Sequence, residues 1–502
     1  MNNTNEPVKP EIVSETPEKS SKLGWQKITA IILAAALAIG LGTFAIIEIL
    51  NHTNQGNTTS SVDSTIEASN ANDQSAEDYF ASAPTYTLEL KDGENLVAKP
   101  GVYTVTGSTS NGYIHINTDE NKVKLILNNV TIKNSSGAAI YVESNENVHI
   151  ETVGTNTLDA TATEDVDAAI YSMADLILKG DGILNITSTI DGIHGKDDVK
   201  IKSGTINVTA TEDGIKGKDS LTILDGNITV SAGDDGLKAS NDEDQTKGVL
   251  TISGGNVTVK KSNEAIEAAQ INISGGNIDV TASDDGVNAA ADFCSQAAMS
   301  PTGNANITVC KANISGGTLK INAGGDGLDS NGSIYLSGGA VYIDGPANSG
   351  NAALDYDGVF EITGGTIIAT GMSGMAINAS SATQGSALIN LSQTYSAGST
   401  ITIGDVTFTP SKSFNSIMVS SPSLAKGNSY ELKVNGTTAQ TVEFTDYLVG
   451  SGQGGGMMGG RGQMQESGQP QEGSQPQGAQ PQDGTQPQAG TQPQAGREAY
   501  RR

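Results

Sequence analysis

Carboxylate side chains recur at one position of a repeat that runs through the middle of the sequence. In most copies the acid precedes a glycine, as in Asp284-Asp285-Gly286. Aligning the copies gives a column of Asp191, Asp213, Asp235, Glu264, Asp285 and Asp326, which ends at Ala352. The position before the column adds Glu212, Asp234 and Asp284, and Asp329 follows Asp326 by three residues. Calcium takes roughly six to eight hard oxygen ligands in flexible geometry, so these acids are predicted calcium ligands.

Two interpretations of the acidic column stay open. Asp-Gly is a common turn dipeptide, and an aspartate caps a turn without any metal. Carboxylates stacked about 5 Å apart nevertheless repel each other, so protons or cations must compensate for them. The acids recur in register, and three copies carry doubled acids. This regularity favours calcium over a row of simple turns.

Two lysines accompany the acids, Lys216 and Lys238, each three residues after an aspartate of the column. They either neutralise the acidic edge or bind the carboxylate of an acidic sugar. They are also weak candidates for the base of a polysaccharide lyase, which needs a lysine whose pKa is lowered. The four histidines are scattered and do not predict a histidine-dependent triad. No catalytic residue is assigned, and an enzyme is the less favoured interpretation.

The overall charge limits the choice of partner. The chain has a net charge of −28 at pH 7. Nucleic acid is therefore not an expected partner, because its phosphates would be repelled. Divalent cations are the expected partners of so acidic a chain.

The repeat predicts the fold. Copies such as IKSGTINV at 201, ISGGNVTV at 252 and ISGGTLKI at 314 follow a basal step of about 22 residues. A period of this length indicates a solenoid, and alternating apolar and polar residues indicate strands. The sequence therefore predicts an all-β parallel β-helix in which about 22 residues form one turn, here called a rung. The predicted inward columns are Ile193, Ile215, Leu237, Ile266, Val287, Leu328 and Leu354, and Ile206, Ile228, Val257, Ile278, Leu319, Val341 and Ile367.

Glycine and the chain ends complete the predicted architecture. The Gly-Gly pairs are predicted corners between strands, where a positive φ is needed. The ends of a solenoid require caps, since an end rung cannot bury its apolar face alone. The predicted segments are a cytoplasmic N-terminus at 1–27, a transmembrane anchor at 28–50, a flexible linker at 51–81, the β-helix at 82–384, a C-terminal β cap at 385–450 and a disordered tail rich in Gly, Gln and Pro at 451–502.

The anchor rests on hydropathy and charge. Residues 28–47 carry no charge and are long enough to cross a bilayer. Lys19, Lys22 and Lys27 precede this run, which predicts a cytoplasmic N-terminus and an extracellular C-terminal domain on a single-pass protein of the cell membrane. A cleaved signal peptide is the competing interpretation.

Cys294 and Cys310 are the two cysteines of the chain. Outside the cell a disulfide between them is allowed, and two free thiols are the alternative. We favour the disulfide, because both cysteines lie in one insertion of the repeat.

Several segments in a fixed order resemble a known family. They are GVYTVTGSTSNGYIHI, KVKLILNNVTIKNSSGAAIYV, DGIHGKDDVKI, DGIKGKDSLTI, the ISGG series and SSPSLAKGNSYELKVNG. Over about residues 82–448 the chain resembles bacterial carbohydrate-binding domain proteins, which are similar in fold to polysaccharide lyase family 9. The resemblance implies a right-handed parallel β-helix with calcium sites that binds polygalacturonate, and also cellulose, with no proven catalysis.

The expected function is therefore that of a membrane-anchored extracellular protein that binds an acidic, pectic polysaccharide with calcium. A family-9 type pectate lyase and a surface adhesin that uses the solenoid as a rod are the alternatives. Cellulose is less favoured, because the one Trp is Trp25 and no aromatic row is visible in the sequence. The oligomeric state is left open.

Overall fold

The computed structural model describes residues 75–118, 122–144, 146–294 and 309–450. Within them, almost every regular element is a β-strand, and three long sheets wind along one axis. The rungs of the middle of the chain each give one strand to each sheet, and neighbouring strands of a sheet are parallel. The predicted parallel β-helix is confirmed.

The strands of the three sheets follow in spatial order. Sheet 1 contains Thr85–Leu90, Gly101–Gly107, Lys122–Asn128, Asn147–Val153, Asp175–Gly180, Asp198–Ile201, Ser220–Ile223, Val249–Ile252, Gln270–Ile273, Lys311–Ile314, Ser333–Leu336, Phe360–Ile362 and Ser381–Ala382. Sheet 2 contains Gly93–Val97, Gly112–Asn117, Ile140–Ser144, Ala168–Ser172, Asp191–Gly195, Ile215–Gly217, Leu237–Ala239, Ile266–Ala268, Val287–Ala289 and Leu328–Ser330. The parallel part of sheet 3 contains Thr131–Asn134, Thr155–Ala160, Ile183–Ser188, Thr205–Thr209, Asn227–Ser231, Asn256–Lys261, Asn277–Ala282, Thr318–Ala323, Ala340–Asp344 and Thr366–Gly371.

The C-terminal end of the solenoid is closed by antiparallel strands. Phe414–Ser421 pairs with Thr366–Gly371, the last parallel strand of sheet 3, and Gly385–Tyr395 pairs with Phe414–Ser421 in turn. Leu448–Val449 completes this edge. A separate four-stranded sheet is formed by Val406–Phe408, Ile401–Ile403, Ser429–Val434 and Thr437–Glu443.

The core is a stack of aliphatic side chains enclosed by the three sheets. Ile193, Ile215 and Leu237 lie in register on sheet 2, and all three are fully buried. On sheet 3 the register pairs Ile206 with Ile228. Both predicted inward columns are confirmed along their length. Burial of apolar surface stabilises by about 25 cal/mol per Å², so this stack is the main source of stability.

The corner between sheets 1 and 3 requires glycine, as predicted. Gly276 has a φ of 85°, which L-residues with a side chain rarely adopt. A Cβ atom at Gly276 would also lie 2.9 Å from the carbonyl oxygen of Gly254 in the preceding rung. The close stacking of corners therefore excludes a side chain on steric grounds as well.

The N-terminal part differs from one prediction. Residues 75–80, inside the predicted flexible linker, form a short helix, and Ala76 and Phe80 are buried against the solenoid. These apolar residues are four apart, so they share one face of the helix, and this face packs against sheet 1. The predicted segments at 1–27, 28–50 and 451–502, and residues 51–74 of the linker, lie outside the described residues. No helix among the described residues is long and apolar enough to span a membrane.

Candidate functional site

The acidic column lies on the turns that lead from sheet 3 into sheet 2. Asp213 donates its backbone N–H to Oδ1 of Asp191 at 2.9 Å, and Asp235 donates its own to Oδ1 of Asp213 at 3.1 Å. Further along, Asp326 donates its backbone N–H to Oδ1 of Asp285 at 2.6 Å. One oxygen of these carboxylates therefore caps the turn of the next rung. The carboxylates therefore cap turns, and they also lie above one another as a column.

The two acids of each pair lie in different environments. Asp213 and Asp235 are 3% and 2% exposed, whereas Glu212 and Asp234, one residue earlier, are exposed. Neighbouring residues entering a strand point in opposite directions, which explains the difference. In these rungs the predicted ligands form a buried carboxylate row flanked by an exposed one, whereas Glu264, Asp285 and Asp326 are half-buried.

Lysines occupy the second oxygens in the middle of the column. Nζ of Lys216 lies 2.8 Å from Oδ2 of Asp213 and 3.8 Å from Oδ2 of Asp191. Nζ of Lys238 pairs with Oδ2 of Asp235 and lies 2.9 Å from Oε2 of Glu267. These ion pairs neutralise part of the buried charge, which is the predicted neutralising role.

The same contacts decide how the two lysines titrate. Burial disfavours the charged amine of Lys216, but the carboxylates of Asp213 and Asp191 outweigh it and raise its pKa. Lys238 is likewise buried, and Asp213, Asp235 and Glu267 raise its pKa. A catalytic lysine base needs the opposite shift. A cation that took over these carboxylates would push the lysine pKa values back down.

The C-terminal part of the column carries half-buried acids without lysine partners. Among the described residues no ion pair joins Asp285 or Asp329 to a cation. Burial, with its neighbours Asp285 and Asp355, raises the pKa of Asp329 to about 8, and burial raises that of Asp285 to about 6. The amide of Asn288 donates to Glu264 Oε2 at 3.0 Å, while the buried Oδ1 of Asn288 has no hydrogen-bond partner among the described residues. The uncompensated oxygens form an environment that favours protons or cations.

Burial also raises pKa values at the other end of the column. Burial and the carboxylate of Asp213 raise the pKa of Asp191 to about 7. Burial and Glu267 raise the pKa of Asp235 to about 8, and burial raises that of Glu264 to about 7. Near neutral pH the column is therefore short of positive charge.

Ligand atoms of four groups lie within 4.8 Å of one another among the described residues. The groups are Asp213, Asp234 and Asp235; Asp235, Glu264 and Glu267; Asp167, Asp191 and His194; and Asp175, Asp197 and Asp198. The first two fall in the predicted column and share Asp235. Asp284, Asp285, Asp326 and Asp329 do not converge this closely.

Sequence reasoning missed some of these residues. Asp167 and His194 approach to 2.7 Å between Oδ1 and Nδ1, and Glu267 joins the second group from the outer face of sheet 2. Asp167 precedes Ala168, which pairs in register with Asp191, so an alignment extended one rung upstream would have placed it beside the column. Asp175 begins a strand of sheet 1 and Asp197 lies on the turn before the next one, and no repeated pattern of acids marks these positions in the sequence.

A row of aromatic side chains was also not identified from the sequence. His115, Tyr141, Tyr171 and His194 lie in register on the outer face of sheet 2. The rings of His115 and Tyr141 are stacked with centroids 5.1 Å apart, and Tyr171 is 7% exposed. This row is not visible in the sequence, because its members come from rungs of irregular length. Because His115 and Tyr141 cover each other and Tyr171 and His194 are buried, the row does not form a flat exposed platform for sugar.

The two cysteines meet in a disulfide. Cys294 is bonded to Cys310, and their Cα atoms are 6.1 Å apart. Both are buried and pack with Ala269 in a small apolar cluster separate from the main core. The bond joins the two ends of the inserted segment.

Comparison with known proteins gives consistent matches. A family model described as "Carbohydrate-binding domain-containing protein" matches residues 91–350. A protein of that same description from Acetivibrio thermocellus is 36% identical over 129 residues, which are 23% of this chain and 45% of the relative. The chain thus spans less than half the length of this relative. A solved structure titled as the polysaccharide lyase-like protein from C. thermocellum, a gadolinium derivative, is 31% identical with a TM-score of 0.37, covering 39% of this chain and 90% of that one.

Proposed function

The chain belongs to the family of carbohydrate-binding domain-containing proteins, and from this premise we propose that it binds an acidic, pectic polysaccharide through calcium held by the acidic column. The observation that carries the proposal is a buried carboxylate row with too few lysines to neutralise it. Such a row attracts a dication, and a dication can bridge to the carboxylates of an acidic polymer.

The donor atoms of the column fit calcium. The two groups that share Asp235 supply only carboxylate oxygens, which hard cations prefer over nitrogen or sulfur ligands. Asp234 is exposed, so its carboxylate can bind the cation from the solvent side. Calcium bound here would supply positive charge that holds the carboxylate of a uronic acid. Lys216 and Lys238, at the same edge, would bind further sugar carboxylates once the cation relieves their own aspartates.

Calcium titration by calorimetry tests the proposed metal site. Asp235→Asn should abolish most calcium binding, because Asp235 contributes to both groups, while the shape of the side chain is kept. Asp279→Asn is the matched control: Asp279 is exposed on sheet 3, outside all four groups, and its loss changes the net charge equally. Wild-type protein that binds no calcium, or an Asp235→Asn variant that binds it normally, would refute the proposed site.

We propose that binding occurs without cleavage. Without metal, the carboxylates around Lys216 and Lys238 raise the pKa values of both lysines, which disfavours either as a base. Because bound calcium would lower these pKa values again, cleavage must be tested with calcium present. Ultraviolet absorbance of unsaturated uronates, followed during long incubation with polygalacturonate and calcium, should stay flat. A steady rise that Lys216→Ala or Lys238→Ala abolishes would identify a lyase instead.

We propose that the protein is held in the cell membrane by the predicted anchor. The uncharged run at 28–47 and the lysines before it support a single-pass protein of the cell membrane whose solenoid faces the outside. Protease added to intact cells should remove the solenoid and spare the first residues. A solenoid that is cut only after lysis would contradict this location.

A further inference from the structure

A basic cluster of two lysines and one histidine lies on the outer face of sheet 1. Its positive charge is opposite in sign to the net charge of the molecule. Lys124 and His149 are in register on neighbouring strands, and Lys179 projects from the next strand. Lys124 is 8% exposed and His149 is completely buried. The cluster lies on a different sheet from the acidic column, and the proposed calcium site does not use it.

One carboxylate from outside the solenoid fills this cluster. Glu77, on the helix at 75–80, lies 2.9 Å from Nζ of Lys124 through Oε2 and 2.5 Å from Nζ of Lys179 through Oε1. Nδ1 of His149 is 3.1 Å from the same Oε1, but its alignment is not that of a hydrogen bond. Three nitrogen groups thus converge on a single anion.

The sheet alone leaves the cluster short of negative charge. Glu151 is the sheet carboxylate near the two lysines, at 3.9 Å from Lys124 and 3.7 Å from Lys179. Burial would raise the pKa of Glu77, but Lys179 and Lys124 outweigh it and lower that pKa to about 2. Neither ring nitrogen of the buried His149 has a hydrogen-bond partner among the described residues. The cluster therefore holds the carboxylate of Glu77 and would be left with an excess of positive charge if Glu77 moved away.

The segment that supplies Glu77 is a small attachment to the solenoid. A helix of one and a half turns is not stable by itself. It is held by Ala76 and by Phe80, whose ring meets His149 edge-on at 4.9 Å and lies 4.7 Å from Nζ of Lys124. Short elements with few buried side chains open locally at a lower cost than the whole fold.

We propose that Lys124, His149 and Lys179 form a second subsite for carboxylates, which the helix plugs with Glu77 and which a uronate group of the acidic polysaccharide enters when the helix lifts. This inference rests on the proposed acidic ligand, yet it uses no calcium. The apparent dissociation constant of such a site equals the intrinsic constant divided by the open fraction. Removing the internal carboxylate should therefore strengthen binding.

The test measures binding of oligogalacturonate to the detergent-solubilised full chain by calorimetry in excess chelator, so that calcium sites are silent. Glu77→Gln should bind about tenfold more tightly than wild type. The double variant Glu77→Gln with Lys179→Gln should lose that gain, and a neutral cello-oligosaccharide should show no gain. Glu89→Gln, an exposed acid on the edge strand of the same sheet, is the matched control and should behave as wild type.

The outcomes separate the plug from the calcium site. Glu77→Gln that folds, by its melting curve, and binds no tighter than wild type overturns the plugged subsite, even if wild type binds polygalacturonate with calcium. Glu77→Asp shortens the side chain and keeps the charge, so it serves if Glu77→Gln unfolds. It should give a smaller gain in affinity, and the absence of any gain would also overturn the inference.

Discussion

At the scale of single residues, one buried aspartate serves two neighbours. Oδ1 of Asp213 accepts the backbone N–H of Asp235, and its Oδ2 pairs with Lys216. Aligned repeats were enough to predict that Asp213 belongs to a column and that Lys216 lies beside it. They could not predict which oxygen meets which donor, because that depends on the turn conformation and not on residue type.

Replacing the buried acid should cost far more than replacing its exposed neighbour. Asp213→Ala leaves Lys216 buried without its closest partner and the N–H of Asp235 without an acceptor, so we expect a loss of about 3 kcal/mol. Glu212→Ala, one residue away and exposed, should stay within about 0.5 kcal/mol of wild type. Denaturant unfolding measures both. Equal losses would mean that the column does not stabilise the fold.

The raised pKa values of the column acids also predict the pH dependence of stability without metal. The folded pKa values of Asp191 and Glu264 are about 7 and that of Asp329 about 8, all above the values of an unfolded chain. The folded state thus holds protons that the unfolded state releases above about pH 4, so stability falls from there until the pH has passed the folded pKa values.

In excess chelator, the melting temperature should therefore be lower at pH 8.5 than at pH 6.5. Calcium replaces the protons, so it should raise the melting temperature more at the higher pH. A melting temperature that increases from pH 6.5 to pH 8.5 in chelator would show that these carboxylates do not titrate as described.

At the scale of elements, stacked corners fix the spacing of the rungs. Gly276 has a positive φ, and a Cβ would meet the carbonyl of Gly254 below it. Gly436, in the C-terminal cap, has a φ of 76° but no atom within 4 Å of its Cβ position. A comparison of these two glycines therefore separates the cost of backbone strain from the cost of steric conflict between rungs.

Alanine at these two glycines should give different losses of stability. Gly436→Ala should cost about 1 kcal/mol, the cost of the left-handed conformation alone. Gly276→Ala should cost about 2–4 kcal/mol, because the corner must also shift away from the rung beneath. Chemical denaturation compares the two. A Gly276→Ala variant no less stable than Gly436→Ala would contradict tight stacking at the corner.

The disulfide constrains the inserted segment and not the rungs of the solenoid. It closes the insertion that separates Val287–Ala289 from Lys311–Ile314, and its cysteines pack outside the main core. Replacing both cysteines by alanine should lower stability by about 3 kcal/mol at most, the value of a loop of about 15 residues in the chain-entropy model. Far-ultraviolet circular dichroism should show unchanged β content. Loss of the β signal would give the bond a role in the rungs themselves.

The sequence predicted the elements with a strong period and missed those without one. Strands of the middle rungs repeat every 21 or 22 residues at several steps, so their columns were read directly. The helix at 75–80 has one and a half turns and two apolar residues, which is too little periodicity to distinguish from a linker. The aromatic row of sheet 2 was missed for the same reason, since insertions separate its members.

At the scale of the whole molecule, the solenoid separates charge between its faces. Sheet 2 and the turns before it carry the acidic column, and the N-terminal part of sheet 1 carries the basic cluster closed by Glu77. Regular stacking brings like charges together in rows, so each row needs a partner from outside the repeat. For the acidic column we propose calcium and a pectic chain, and for the basic cluster the helix or a uronate.

Titration of oligogalacturonate into the protein by calorimetry, at saturating calcium and again in chelator, tests the central claim most directly. We expect binding with calcium, loss of most of that binding in chelator and in Asp235→Asn, and normal behaviour in Asp279→Asn. Binding that is equally strong in chelator, or absent from wild type at saturating calcium, would contradict it.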